Sequence, residues 1–271
     1  MKRYIVIILF CIGIGSLCAQ HHVGASLSPA MTWQLDSIST TRSLPGVGGA
    51  IGMVYQYQYQ SLLLQTGMEV GLANMRQGVD SMLIGTDTLC RNRVDAMRMM
   101  EFSIPIMLGV QTHYFYALGG VKAIFSPNVS TTQQATIAIR DADDRYYEDY
   151  NQAFLDDHDI ISHGQMTINP DLRACVELGA RWSVGRYHRS RQTSPILQLG
   201  VYAEYGLLNA APKSYTSSNN DGNASVKIHV DHSYVPLIGA DNSLRVNHLH
   251  AGIRLTVLFD ISPNDCNCEW Y

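Results

Sequence analysis

Residues 171–183 read DLRACVELGARWS, and their alternation decides the fold. Leu172, Ala174, Val176, Leu178, Ala180 and Trp182 fall on one side. Asp171, Arg173, Cys175, Glu177, Gly179, Arg181 and Ser183 fall on the other. A period of two belongs to a β-strand, whose successive side chains point to opposite faces. One face is apolar over its whole length, and the other carries ionic groups that a soluble core would not accept. That combination fits a barrel wall with hydrocarbon outside and a polar lumen inside.

Working outward, seven further stretches repeat the pattern. They are 23–33, 47–57, 61–74, 97–110, 113–125, 195–208 and 247–259. In the last, Leu249, Ala251, Ile253, Leu255, Val257 and Phe259 alternate with His248, His250, Gly252, Arg254 and Thr256. Both faces of 113–125 are apolar, so its phase is ambiguous. Lys122 is assigned to the inside. Several stretches reach the ~10 residues that a tilted strand needs to cross a bilayer.

The connections alternate in length. Short ones lie near 58–60, 111–112 and 185–194, and long ones near 34–46, 75–96, 127–169 and 209–246. Eight strands with both termini on the periplasmic side need three short turns and four long external loops. The predicted fold is therefore all-β, a closed antiparallel eight-stranded transmembrane β-barrel with long extracellular loops. Two segments inside the long connections, 134–140 and 224–231, also alternate. They read as hairpin extensions above the membrane or as two further wall strands, making ten, and eight is preferred. Trp33, Tyr55, Tyr57, Tyr114, Tyr116 and Trp182 are assigned to interfacial girdles.

The first residues give an address. Lys2 and Arg3 precede an apolar run from Tyr4 to Leu17 and then Cys18-Ala19-Gln20, the layout of a secretory signal peptide. The expected organisation is a cleaved signal peptide over 1–20, a barrel over 21–260 and a short periplasmic tail over 261–271. Past residue 20 no apolar run is long enough for a membrane helix. Mean hydropathy is −0.03, which a barrel tolerates because its segments average out. Removing Lys2 and Arg3 from 19 basic residues leaves 17 against 23 acidic ones, a net of −6, which argues against nucleic acid as a partner. Cys90, Cys175, Cys266 and Cys268 remain after the signal and are too scattered for a disulfide framework.

The inward charges are Glu69, Glu101, Lys122, Arg173, Glu177, Arg181, Glu204 and Arg254. An eight-stranded barrel is just filled by its side chains. These eight are expected to form a salt-bridged plug and no open pore. No cofactor and no metal site is expected.

Glu101-Phe-Ser-Ile-Pro105-Ile106, opening a strand, is followed by Tyr114-Phe-Tyr-Ala-Leu-Gly119-Gly120, and the last strand closes on Leu258-Phe259. With these motifs the mature chain resembles the PorT-like outer-membrane β-barrel proteins of Bacteroidota, small relatives of the OmpA and OmpX barrels. The resemblance implies an outer-membrane location in a Gram-negative cell. It also implies insertion by the barrel-assembly machinery, which reads a terminal aromatic strand, although twelve residues follow Phe259 here. The family's founding member supports a secretion system.

The expected function is non-enzymatic: adhesion, envelope integrity or support of a membrane complex, with outer-membrane lipid as partner and protein partners at the external loops or periplasmic turns. The alternative is a hydrolase, a protease or a lipid A deacylase. Asp156, Asp157, His158 and Asp159 in the third long connection, and His229, Asp231 and His232 in the fourth, would supply a histidine base oriented by a carboxylate. Arg186 to Arg191 form a basic turn suited to anionic headgroups. Asp36-Ser37-Ile38, Asp80-Ser81-Met82 and Asp87-Thr88-Leu89 are similar to the short O-glycosylation acceptor of Bacteroidota.

Overall fold

The computed structural model describes residues 19–36, 42–84, 88–140, 154–184, 195–210, 212–219 and 246–262. The strands are β1 (Gln20–Asp36), β2 (Arg42–Leu44), β3 (Gly46–Tyr59), β4 (Leu62–Ile84), β5 (Thr88–Gln111), β6 (Phe115–Phe125), β7 (Val129–Arg140), β8 (Phe154–Ile168), β9 (Asp171–Ser183), β10 (Ile196–Gly206), β11 (Pro212–Asn219) and β12 (Val246–Asp260). The signal segment 1–18, the basic turn 186–191, the segment 224–231 and the tail with Cys266 and Cys268 lie outside the described residues.

Eight strands close a ring in the order β1, β3, β4, β5, β6, β9, β10, β12 and back to β1. All neighbours are antiparallel. The closing pair runs from His22 opposite Asp260 to Asp36 opposite Val246. Hydrocarbon offers no hydrogen-bond partners, so the backbone of a membrane-spanning sheet must be satisfied by closure. The same demand acts on side chains: Thr66, within the lipid-facing row of β4, donates its hydroxyl to the Pro105 carbonyl at 2.9 Å.

The outer face is an apolar belt. On β4 it runs from Leu62 to Leu72, and on β5 from Met100 to Val110, with exposures such as 69 % at Met68 and 64 % at Leu108. Ten residue steps of ~3.4 Å, on strands tilted by about 40°, give roughly 26 Å of height, close to the ~25 Å band of barrels in membranes. The wall strands match the eight expected, and β9 begins and ends where the alternation does.

Beyond the belt the structure differs from the sequence expectation. The stretches 75–96 and 127–169 are not loops over most of their length. β4 and β5 continue to Ile84 and back from Thr88, and β7, β8 and β11 join them. The result is a sheet in the order β2, β4, β5, β7, β8, β11 standing on the long-loop end of the ring, in which the segment 134–140 lies within β7. β5 changes partner there: Phe102 faces Phe125 of β6, whereas Met99 faces Val129 of β7. Pro127 separates β6 from β7, and Pro170 separates β8 from β9. Proline lacks the ladder N–H and fixes φ, so both joints fall where the ladder is handed over.

The polarity of the alternation inverts at this joint. In the wall, apolar side chains point out. In the extension Met75, Met97, Met99, Val129 and Met166 point in and are buried, while Arg76, Arg98, Ser130, Gln165 and Thr167 point out. The extension is thus a sheet with a polar outer face and, next to the belt, an apolar interior, which turns polar further up at Gln77, Arg93, Asp95 and Gln133.

Candidate functional site

The lumen is layered along the axis. At the long-loop end Arg93 grips Asp95, with Nε to Oδ1 and Nη2 to Oδ2 both at 3.0 Å. Below lies an apolar cluster of Ala73, Met75, Met97, Met99, Val129, Met166, Ile168 and Val246. The ionic layer follows. Beneath it Leu63, Met107, Tyr116, Leu118 and Cys175 form a second apolar cluster. Towards the short turns Gln56, Gln65 and Gln198 join by side-chain amide bonds of 3.3 Å.

Seven of the eight charges expected inside meet in the ionic layer. Lys122 Nζ lies 2.8 Å from Glu69 Oε2 and is also paired with Glu204. Arg254 reaches Glu177 at 2.9 Å, Glu69 at 3.2 Å and Glu204 at 3.6 Å, with its guanidinium 4.9 Å from the centre of the Tyr202 ring. Arg173 donates to both oxygens of Glu101 at 2.5 and 3.3 Å and to Asp171 at 3.2 Å. Its Nη1 also donates to His250 Nδ1 at 3.1 Å. All of these charges are buried. The facing wall makes room for them with Ser26, Ser28, Gly48, Ala50 and Gly52 of β1 and β3, small inward residues opposite large ones.

Two assignments change, and three inward residues join the network. Arg181 is not in the network; it lies near the short turns and donates to Gln58 Oε1 at 3.3 Å. Tyr116 is not an interfacial residue: it points into the lumen and donates to Glu177 Oε1 at 2.7 Å. Asp171, His248 and His250 belong to the cluster, and their inward phase on β9 and β12 was the signal for them. Of the other girdle assignments, Tyr55, Tyr57, Tyr114 and Trp182 lie toward the short turns, where Tyr114 and Trp182 are exposed and Tyr55 bonds His21 Nδ1 at 2.7 Å, whereas Trp33 lies toward the long-loop end of β1, opposite Leu249.

The ionic layer encloses a cavity of about 20 Å3 beside Ser103, Lys122, Glu204 and His250. That is room for about one water. With an apolar cluster on either side, the described lumen is a packed interior and not an aqueous channel.

The alternative catalytic residues are not brought into one site by anything described. His158 falls on β8, opposite Ile137, in a stretch whose side chains are outside the described residues. His229, Asp231 and His232 are outside them altogether. Two of the acceptor-like triplets, at 80–82 and 87–89, fall in or beside the ends of β4 and β5.

A closed ring, a lipid-compatible belt and a plugged ionic lumen together define a small transmembrane β-barrel. No protein-family model and no curated protein matches the chain. Among solved structures it is similar to the attachment invasion locus protein Ail of Yersinia pestis, with 9 % identity over 88 % of this chain and 99 % of that one, at a TM-score of 0.32. Neisserial surface protein A shares 11 % identity over 88 % and 97 %, at 0.26. The outer membrane protease OmpT of Escherichia coli shares 7 % over 89 % and 97 %, at 0.29.

Proposed function

We propose that the chain is a non-enzymatic barrel of a Gram-negative outer membrane that holds its sheet extension outside the cell for adhesion, envelope integrity or support of a membrane or secretion complex. One observation carries this reading. The strands that rise past the apolar belt have a polar outer surface and a buried interior, apolar next to the belt and hydrogen-bonded above it, so the part that projects is a folded platform, and the lumen beneath it is filled. A filled lumen favours presentation over transport, and loops on a rigid wall are where binding residues are commonly placed. The motif resemblance to PorT-like proteins favours the complex-support branch.

Affinity capture of the intact protein from outer membranes in mild detergent tests that branch. A stable, stoichiometric co-purifying complex is the expected result, and a lone barrel would leave only adhesion or envelope integrity. The catalytic alternative is tested by replacing His158, His229 and His232 with Ala and assaying proteolysis and lipid deacylation. Loss of an activity present in the wild type would overturn the non-enzymatic reading.

A further inference from the structure

The joint between wall and extension carries a second feature on its outer surface. A groove of about 330 Å3 opens there, where β5 passes from β6 to β7. Its lower lip is Leu72 and Met100, the last apolar row of the belt. Its upper side is Arg98, Ser130, Gln165 and Thr167, all exposed. Arg98 is not alone on this face. Asn74 lies opposite Arg98 and Arg76 opposite Ala96, so the two arginines are diagonal neighbours, roughly 7–8 Å apart at the backbone. Leu44 lies opposite Arg76 and Arg42 opposite Gly78, which puts Arg42 on the same face. All three arginines are exposed, and no carboxylate of a described side chain pairs with any of them.

We infer that this groove and its three arginines form a binding site for the phosphorylated sugar headgroup of an outer-leaflet glycolipid of the lipid A class. Arginine binds phosphate by paired, charge-assisted hydrogen bonds. Here Arg98 stands one row above the last lipid-facing side chains, the level at which a headgroup phosphate sits when acyl chains cover the belt, with Arg76 one row and Arg42 two rows higher, along the reach of a second phosphate and the sugars. The hydroxyl and amide groups of Ser130, Gln165 and Thr167 beside Arg98 suit sugar hydroxyls and amides, which a simple phosphoglycerol lacks. The rows below, Leu72 with Met100 and Val70 with Phe102, offer the apolar track for the chains.

The inference rests on the proposed orientation, in which the extension faces the leaflet that holds such lipids. The test does not. Purified, detergent-folded protein is titrated with diphosphoryl lipid A, with phosphatidylglycerol and with inorganic phosphate, and retention is read by native mass spectrometry. Lipid A should be retained, and the two competitors only weakly. Arg98→Ala and Arg76→Ala should each weaken it about tenfold, and the triple variant with Arg42→Ala by a hundredfold or more. A heat-shifted gel band confirms that each variant is folded, as expected for exposed positions. Equal retention of phosphatidylglycerol, or a triple variant that holds lipid A as the wild type does, overturns the site. Failure here leaves the orientation standing, because orientation is read separately by surface epitopes.

Discussion

Replacing Lys122 with methionine is the sharpest test of the lumen. The ionic layer holds five carboxylates, Glu69, Glu101, Asp171, Glu177 and Glu204, against three cations, Lys122, Arg173 and Arg254. Lys122 sits between Glu69 and Glu204, both of which Arg254 also reaches, at 3.2 and 3.6 Å. Methionine keeps the volume and removes the charge. Glu69 is then left to a guanidinium that already serves Glu177, and Glu204 to that same group and to Arg173 at 3.7 Å. Removing one partner of a buried pair typically costs about 3–5 kcal/mol. With a urea slope of up to about 3 kcal/mol per molar, the unfolding midpoint of the barrel in phospholipid vesicles should fall by more than about 1 M. Glu204→Gln should cost less, because it reduces the excess of anions, and the double variant should recover most of the Lys122→Met loss. Tryptophan fluorescence and the heat-shifted gel band follow the transition together. An unmoved midpoint in Lys122→Met, or a double variant no better than the single one, would refute the idea that charge balance governs this interior.

Three other expectations follow from the belt, the joint and the packing. Arginine placed at Ile106, mid-belt, should cost about 2–4 kcal/mol and at Met100 only about 0–1, a depth profile measured by the same unfolding assay. In the extension the order reverses: Met97→Ala should cost about 2–5 kcal/mol, whereas its outward neighbour Arg98→Ala should stay within about 0.5. Gly200 leaves space for Tyr116, whose hydroxyl would lie 2.5 Å from an added Cβ; Gly200→Ala should destabilise by about 1–3 kcal/mol, and adding Tyr116→Phe should recover part of it. For orientation, an epitope inserted between β4 and β5, at 85–87, should be stained on intact cells, and one at the chain end only after permeabilisation.

The wall was legible because hydrocarbon imposes one rule on every strand. Apolar must face out, and that fixes the phase of seven of the eight, with only 113–125 apolar on both faces. The extension was hidden for the opposite reason. In water the rule reverses, so Met75 and Met97 look like the lipid-facing row, while Asn74, Arg76 and Gln77 look like a loop. The alternation changes sign between Leu72 and Asn74 on β4 and between Met100 and Arg98 on β5, and past Met75 and Met97 the inner row itself turns polar at Gln77 and Asp95. Search templates that assume one sign end the strand there. β8 and β11 were missed because stretches such as Asp156-Asp157-His158-Asp159 and Ser214-Tyr-Thr-Ser-Ser218 show no apolar face to count. Tyr116 was misplaced because Phe115 and Tyr116 are equally acceptable outside. Only its diagonal contact with Glu177 on the neighbouring strand β9 assigns it. Arg181 was counted in the network on phase alone, and phase carries no information about height along the axis.

The layering also explains what the buried charges contribute beyond their net energy. A paired buried ion often stabilises no more than a hydrophobic residue of the same size. Register is another matter. Each charge of the ionic layer is on a strand with an apolar face immediately behind it, so a slip of one residue exchanges the faces. On β12 such a slip would carry Arg254, His248 and His250 into hydrocarbon and bring Leu249, Ile253 and Leu255 against the carboxylates of β4, β9 and β10. An arginine near the middle of the bilayer alone costs about 2–4 kcal/mol, before its abandoned partners are counted. The ion pairs join β4, β6, β9, β10 and β12, so a shift in one strand is penalised by several others at once. The apolar clusters above and below keep water from relieving that penalty. An ionic layer placed between two greasy ones therefore selects a single register for the ring, and with it a fixed height for the arginines and the platform above the membrane.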